Sequence, residues 1–162
     1  MLPNIKTILY ATDVGPAGPR VFSHAMGLAK CYKAGIIVLS VLEPLGAFGE
    51  ALVDSYVAKE TLKRLRREGE EKVIAELRDR VRRFCNEELA DDPHGLELVR
   101  DVRVLAGNPA EVILKQAKKE HADVIVMGSH GHTAFGEMLL GSVAHKVTQR
   151  SEIPVLLVPA RK

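Results

Sequence analysis

The residues best suited to chemistry lie in one run, Met127-Gly128-Ser129-His130-Gly131-His132-Thr133-Ala134-Phe135-Gly136-Glu137-Met138-Leu139-Leu140-Gly141-Ser142. The apolar segment before it, Asp123-Val124-Ile125-Val126, reads as a buried strand. Val143 to Arg150 after it has helical spacing and a basic end. A strand, a glycine-containing loop and a helix start together make a cradle for phosphate. Glycine admits φ > 0 and lets a ligand approach the main chain. The free N–H groups of a helix's first turn carry the positive end of its dipole toward an anion. Ser142 stands where a hydroxyl can both cap the helix and bond a phosphoryl oxygen. The spacing of Gly128, Gly131, Gly141 and Ser142 is G-x2-G-x9-G-S, and its chemistry is the grip of an anionic group by main-chain amides.

The elements that must position this run follow from the chain in order. Ile5 to Thr12 is a short apolar strand candidate ending in the turn cluster Asp13-Val14-Gly15-Pro16-Ala17-Gly18-Pro19. Val21 to Tyr32 has helical spacing, with Val21, Phe22, Ala25, Leu28 and Ala29 on one face. Gly35 to Leu42 is apolar almost throughout, the pattern of a strand buried on both faces. The two strands and the helix make a βαβ unit with a right-handed crossover. Residues 43–51, with Pro44, Gly46 and Gly49, read as a flexible loop at the strands' carboxyl ends. Residues 52–89 read as one long charged amphipathic helix, or two with a kink at Gly69. Asp91-Asp92-Pro93-His94-Gly95 reads as a break, Leu96 to Leu105 as a half-exposed edge strand, and Pro109 as the start of a helix through His121. A short apolar strand, Val155 to Val158, closes the chain. The alternation predicts an α/β fold, a parallel open sheet with helices on both faces, in one domain over residues 1–162.

The glycine spacing, with Ile8-Leu9-Tyr10-Ala11-Thr12-Asp13, Gly107-Asn108-Pro109-Ala110-Glu111-Val112-Ile113 and Ile153-Pro154-Val155-Leu156-Leu157-Val158, resembles the universal stress protein family in its ATP-binding branch. The likeness spans essentially the whole chain. It implies a Rossmann-like, adenine nucleotide alpha hydrolase-like sheet of five parallel strands in the order 3-2-1-4-5, an order the segments alone leave open. It implies nucleotide contacts from Gly128, Gly131, Gly141 and Ser142, with a main-chain N–H from Val143. Ala11 and Thr12 accompany Asp13, whose carboxylate would face the nucleoside; from position alone Asp13 is equally a turn or capping residue. Val41 would offer main-chain groups to the adenine edge and Met127 would pack near the base, although both are residue types that more often fill a core. The resemblance also implies ATP as cofactor, with Mg2+ bridging phosphates and taking much of its shell from water. It further implies a homodimer paired through Val155 to Val158, a self-complementary edge contact.

His130 and His132 flank Gly131. A metal site would need a third protein ligand, and none is identifiable. Ser129-His130-Gly131-His132 is also comparable with the HxGH signature of nucleotidyl transferases and class I synthetases, with serine in its first position. There the pattern follows the first strand, where this chain has Asp13 to Pro19 and no histidine. What remains is contact of His130 or His132 with phosphate oxygens. A GxxxxGK[ST] run is absent, and Gly15 and Gly18 fit only part of GxGxxG. Without an obvious general base or arginine finger, fast hydrolysis is not supported. Taken with this, the resemblance implies a switch or sensor that holds ATP in a stress response; the alternative is a slow ATPase or a nucleotide-dependent transferase.

Composition narrows the partners. The 162 residues carry a net charge of +2 with both signs interspersed, and aromatics make up 4%, which argues against a nucleic-acid surface. The basic patch Lys63-Arg64-Leu65-Arg66-Arg67 is followed at once by Glu68, Glu70 and Glu71, as on a solvated helix face. Two distant cysteines, Cys31 and Cys85, suit a reducing compartment. With no membrane-length apolar run and no signal peptide ahead of the first strand, the expected location is the cytoplasm.

Overall fold

The computed structural model describes residues 3–44, 59–130 and 140–160. Its strands are β1 (Thr7–Ala11), β2 (Gly35–Leu42), β3 (Val99–Ala106), β4 (Val124–Gly128) and β5 (Val155–Val158). They form one parallel sheet in the order β3-β2-β1-β4-β5. The helices are α1 (Gly18–Tyr32), α2 (Lys59–Glu88), α3 (Pro93–Leu98), α4 (Pro109–Lys119) and α5 (Ser142–Arg150).

Alternation along the strands splits the core into two layers. Ile8, Tyr10, Ile36, Val38, Val124 and Val126 face α1 and α2, where Val21, Phe22, Ala25, Val81 and Cys85 cover them. Leu9, Ala11, Ile37, Leu39, Ile125 and Met127 face the other way, onto Ala110, Ile113 and Ala117 of α4 and Ala144 and Val147 of α5. Each fully buried aliphatic side chain adds roughly 1.5–3 kcal/mol, and both faces need such cover. Hence the near-continuous apolar runs in β1, β2 and β4. The start of the sheet is pinned by Asp123, whose carboxylate accepts N–H bonds from Lys6 (2.7 Å) and Thr7 (2.9 Å).

From Lys59 to Glu88 the long charged segment is one helix, continuous through Gly69. Its carboxyl half packs through one stripe: Ile74, Leu77, Val81, Phe84 and Cys85. Residues 45–58, which include most of the expected loop and the first residues of the expected helix, lie outside the described residues.

Besides shifts of one to three residues at the ends of β1, α1 and α4, the structure departs from the sequence reading in β3, in β4 and in the expected break before β3. The expected break at 91–95 and the start of the expected strand instead form α3, because Asp92-Pro93 is a cap followed by a first-turn proline: the Asp92 carboxylate accepts the Gly95 N–H at 3.1 Å. β3 therefore begins at Val99. The strict alternation read across it also fails, because the register slips between Ile36↔Val99 and Ile37↔Asp101. Arg100 is the extra residue of this bulge, so Val99 and Val102, three apart, both pack on the α1–α2 side. Finally, β4 runs on through Met127 and Gly128, which belong to the strand and not to the loop.

Two stability predictions arise here. Gly107, between β3 and α4, has φ +145°, and a Cβ there would lie 2.8 Å from Val112 Cγ2. Gly107→Ala should cost roughly 1–3 kcal/mol, read as a lower urea midpoint at unchanged slope. Asp92 is paired with Lys30 of α1, and this bond, foremost, holds its carboxyl below the ordinary 3.8. A depressed native pKa adds stability above the unfolded value and loses it as pH falls through the native one. Asp92→Asn keeps a capping oxygen but not the charge. Urea midpoints should show wild type ahead at neutral pH, with the gap closing as pH drops below 3.8.

Candidate functional site

α1 leaves β1 toward one face of the sheet, and α5, which follows β4 in the chain, packs on the other. β1 and β4 are neighbours, so the chain diverges at their carboxyl ends and opens a crevice at the topological switch point. The register Leu39↔Ala11↔Met127 sets the ends of β1 and β4 level with Leu39, and β2 runs on past them to Leu42. Ala11, Thr12, Asp13, Val41, Met127 and Gly128 thereby come to one end of the sheet. Gly141 joins them through its N–H, which donates to Ser129 O at 2.8 Å and brings Gly141, Ser142 and Val143 to the exit of β4. Gly131 and His132 lie outside the described residues.

The turn after β1 is built by its own side chains. Thr12 N–H donates to Leu39 O (2.9 Å), and Thr12 Oγ1 accepts the Val14 N–H (3.0 Å). Asp13 Oδ1 accepts the Gly15 N–H at 2.9 Å, so Asp13 serves the turn and is exposed as well. Val14 sits at φ 55°, a left-handed conformation that disfavours a β-branched residue. Its carbonyl is approached by Arg80 Nη2 of α2 at 3.5 Å. Neither Val14 nor Arg80 stood out in the sequence: the residue type at Val14 argues against its backbone, and Arg80 is one charge among many on a charged helix.

Val41 pairs with Leu105 of β3, and its side chain packs toward the α4–α5 layer. Peptide groups alternate in direction along a strand. Since Leu42 O accepts the Gly107 N–H on the β3 side, Val41 turns its main chain to the β1 side, past the end of the β1–β2 ladder. Met127 is 5% exposed; its side chain belongs to the core, leaving only its main chain near the crevice.

The start of α5 differs from expectation in two ways. Gly141 is the N-cap, with no side chain to make a capping bond, and Ser142 is the first helical residue. Ser142 therefore does not cap; its hydroxyl is exposed at the helix mouth. Gly141 is extended, at φ −56° and ψ 151°, and the one described glycine with positive φ is Gly107. At Gly128 an added Cβ would meet His130 O at 3.4 Å and Val21 Cγ2 at 3.5 Å, ordinary contacts. The contribution of these two glycines is thus a missing side chain and not a special backbone. Ser129, which drew no notice in the sequence, is the joint of the site: besides accepting from Gly141, its N–H donates to Val158 O at 2.9 Å.

Tyr10, just below the crevice, donates its hydroxyl to Gly18 O at 3.2 Å, and burial pushes its ionisation well upward. Cys85, 2% exposed beneath α1, is likewise pushed up to about 11 by burial. Neither is a nucleophile or base near neutrality.

Sheet order and helix placement together define a Rossmann-like α/β protein whose chain diverges at the carboxyl ends of β1 and β4. The model of the universal stress protein family matches residues 4–159, and the chain belongs to that family. It is 37% identical over 154 residues to a universal stress protein of Thermus aquaticus, covering 94% of this chain and 98% of that one. It is 29% identical over 157 residues to the universal stress protein MJ0577 of Methanocaldococcus jannaschii, covering 94% of each. The solved structure of MJ0577 matches with a TM-score of 0.73 over 99% of both chains. A universal stress protein solved in complex with cAMP shares the fold at a TM-score of 0.56 and 21% identity, over 98% of this chain and 100% of that one.

Proposed function

We propose that this chain is an ATP-binding universal stress protein in which nucleotide occupancy acts as a switch or sensor, with slow hydrolysis or none. The observation that carries this is the mouth of α5: a helix start whose N-cap is a glycine with no side chain to cap it, tied by that glycine to the exit of β4 at the switch point. Uncapped first-turn amides with the positive end of the dipole suit phosphate. In this assignment Gly128, Gly131, Gly141, Ser142 and Val143 hold phosphate and ribose, and His130 touches phosphate oxygens. Ala11, Thr12 and Asp13 line the nucleoside side, while Val41 and Met127 contribute main chain. That a family member of the same fold has been solved with cAMP supports an adenine nucleotide here. Among the described residues no cluster of three or more His, Cys, Asp or Glu side chains is placed to hold a metal ion. Mg2+ accompanying the triphosphate would take its ligands from phosphate oxygens and water.

The assembly proposed is a homodimer. β5 is an edge strand, and Leu156 on it is exposed at 36%, so a second copy would find both ladder groups and apolar surface there. Sedimentation should give a dimer mass; a monomer mass independent of concentration would remove this part. No described helix is long and apolar enough to cross a membrane, and the two free cysteines fit the reducing cytoplasm.

Calorimetry with ATP, ADP, AMP and cyclic AMP, run beside single-turnover hydrolysis of labelled ATP, tests the proposal. Saturable ATP binding with little phosphate release is the expected result. Brisk release would favour the ATPase or transferase alternative, and no binding of any nucleotide would refute both.

A further inference from the structure

Ser129 uses its side chain as fully as its main chain. Its Oγ lies 2.8 Å from His130 Nδ1 and accepts the Ala160 N–H at 3.2 Å. A serine hydroxyl has one proton and two lone pairs. With one lone pair given to Ala160, two arrangements remain toward His130. If the ring carried its proton on Nδ1, both lone pairs of Oγ would be accepting, and the hydroxyl proton would lack an acceptor among the described residues. If the hydroxyl donates to Nδ1, every group is satisfied.

We infer that Ser129 is a positioning residue that donates to His130 Nδ1, holds the ring in its Nε2–H form, and so presents Nε2 as a hydrogen-bond donor to an anionic group at the exit of β4. Nε2 lies across the ring from the tethered nitrogen and meets no partner among the described residues. His130 lies two residues past the end of β4 and shares Ser129 with Gly141, the N-cap of α5. The donor thus stands beside the amides of the helix mouth. The anion is the phosphate of the nucleotide proposed above, and only that identification rests on the proposed function. Because Ala160 also holds Ser129 Oγ, the segment leaving β5 helps set the tautomer. The nitrogen that bears the proton is fixed by the bond made to the other one, and this decides whether a neutral histidine can donate to a ligand.

The test is a long-range 1H–15N spectrum of protein labelled with [15N]histidine, at about pH 8, above the usual histidine pKa. The chain has six histidines, and His130→Gln identifies the signals that belong to His130. Wild type and Ser129→Thr should show the Nε2–H form, and Ser129→Ala a mixture of tautomers. Adding MgATP, or inorganic triphosphate as a simpler anion, should shift Nε2 in wild type, and ATP affinity should fall about tenfold in Ser129→Ala and recover in Ser129→Thr. A purely structural serine would change the melting curve and leave the tautomer alone. An Nδ1–H form in wild type, or an unchanged tautomer in Ser129→Ala, overturns the inference. So does ATP that binds by calorimetry without moving Nε2. If no nucleotide binds but the triphosphate still shifts Nε2, the donor role stands and the nucleotide assignment fails.

Discussion

Gly141→Val is expected to weaken ATP binding at least about a hundredfold while barely moving the melting temperature. The backbone at Gly141, φ −56° and ψ 151°, is open to any L-residue, so valine brings no conformational strain. Its N–H still donates to Ser129 O, and its carbonyl still accepts the His145 N–H at 2.8 Å. Valine is a poorer N-cap than glycine, a cost of roughly 1 kcal/mol or less. What changes is the space in front of the first-turn amides, where a branched side chain would stand between them and a phosphate. Each tenfold loss of affinity is about 1.4 kcal/mol, and displacing a phosphate from several amides removes more than one such step. Calorimetry on the variant, beside a thermal melt, separates the two quantities. Undiminished affinity would mean that the anion, if one binds, is held elsewhere.

Much of this was legible in the sequence because the signals were local. Gly35 to Leu42 matches β2 residue for residue, since a strand buried on both faces is an apolar run with turn residues at its ends. Pro109 after Asn108 gave the start of α4, where the Asn108 side chain indeed accepts the Glu111 N–H. The strand order came only from the resemblance to the family, and the sheet has that order. Most of the failures turn on contacts between distant segments. The bulge at Arg100 depends on pairing with β2 and leaves no local mark. Asp92-Pro93 looked like a break because a cap and a break use the same residues; the helix it starts is only six residues long. Ser142 reads as the cap in the sequence, yet Gly141 O accepts the His145 N–H and the cap lies one residue earlier. Ser129 has no role legible in the sequence, for besides its neighbour His130 its partners are Val158, Ala160 and Gly141, and no spacing rule ties a serine to those positions.

Phe22→Ala should produce the opposite signature, a large loss of stability with a much smaller loss of binding. Phe22 is 1% exposed and its ring is set between Tyr10 and Phe84, both with centroids 5.4 Å away, tilted by 40° and 59°. These three rings join β1, α1 and α2, so the side chain is the common contact of a strand and two helices. Removing it leaves a void that neither a strand in mid-sheet nor two anchored helices can close, and Phe→Ala at such a site costs roughly 3–5 kcal/mol. Against a total of about 5–15 kcal/mol, that is a third or more of the stability in the unfavourable case. For a chain of this length the melting temperature should drop by roughly 6–20 °C, with the urea midpoint falling at constant slope. Phe22→Leu, which refills most of the space, should lose far less. The void opens on the α1–α2 face, whereas α5 and its amides pack on the other. ATP affinity measured well below the variant's melting point should therefore stay within about tenfold of wild type. A variant that lost affinity as severely as Gly141→Val would show that the aromatic layer, through Tyr10 and the Thr12–Asp13 turn, governs the nucleotide side of the crevice directly.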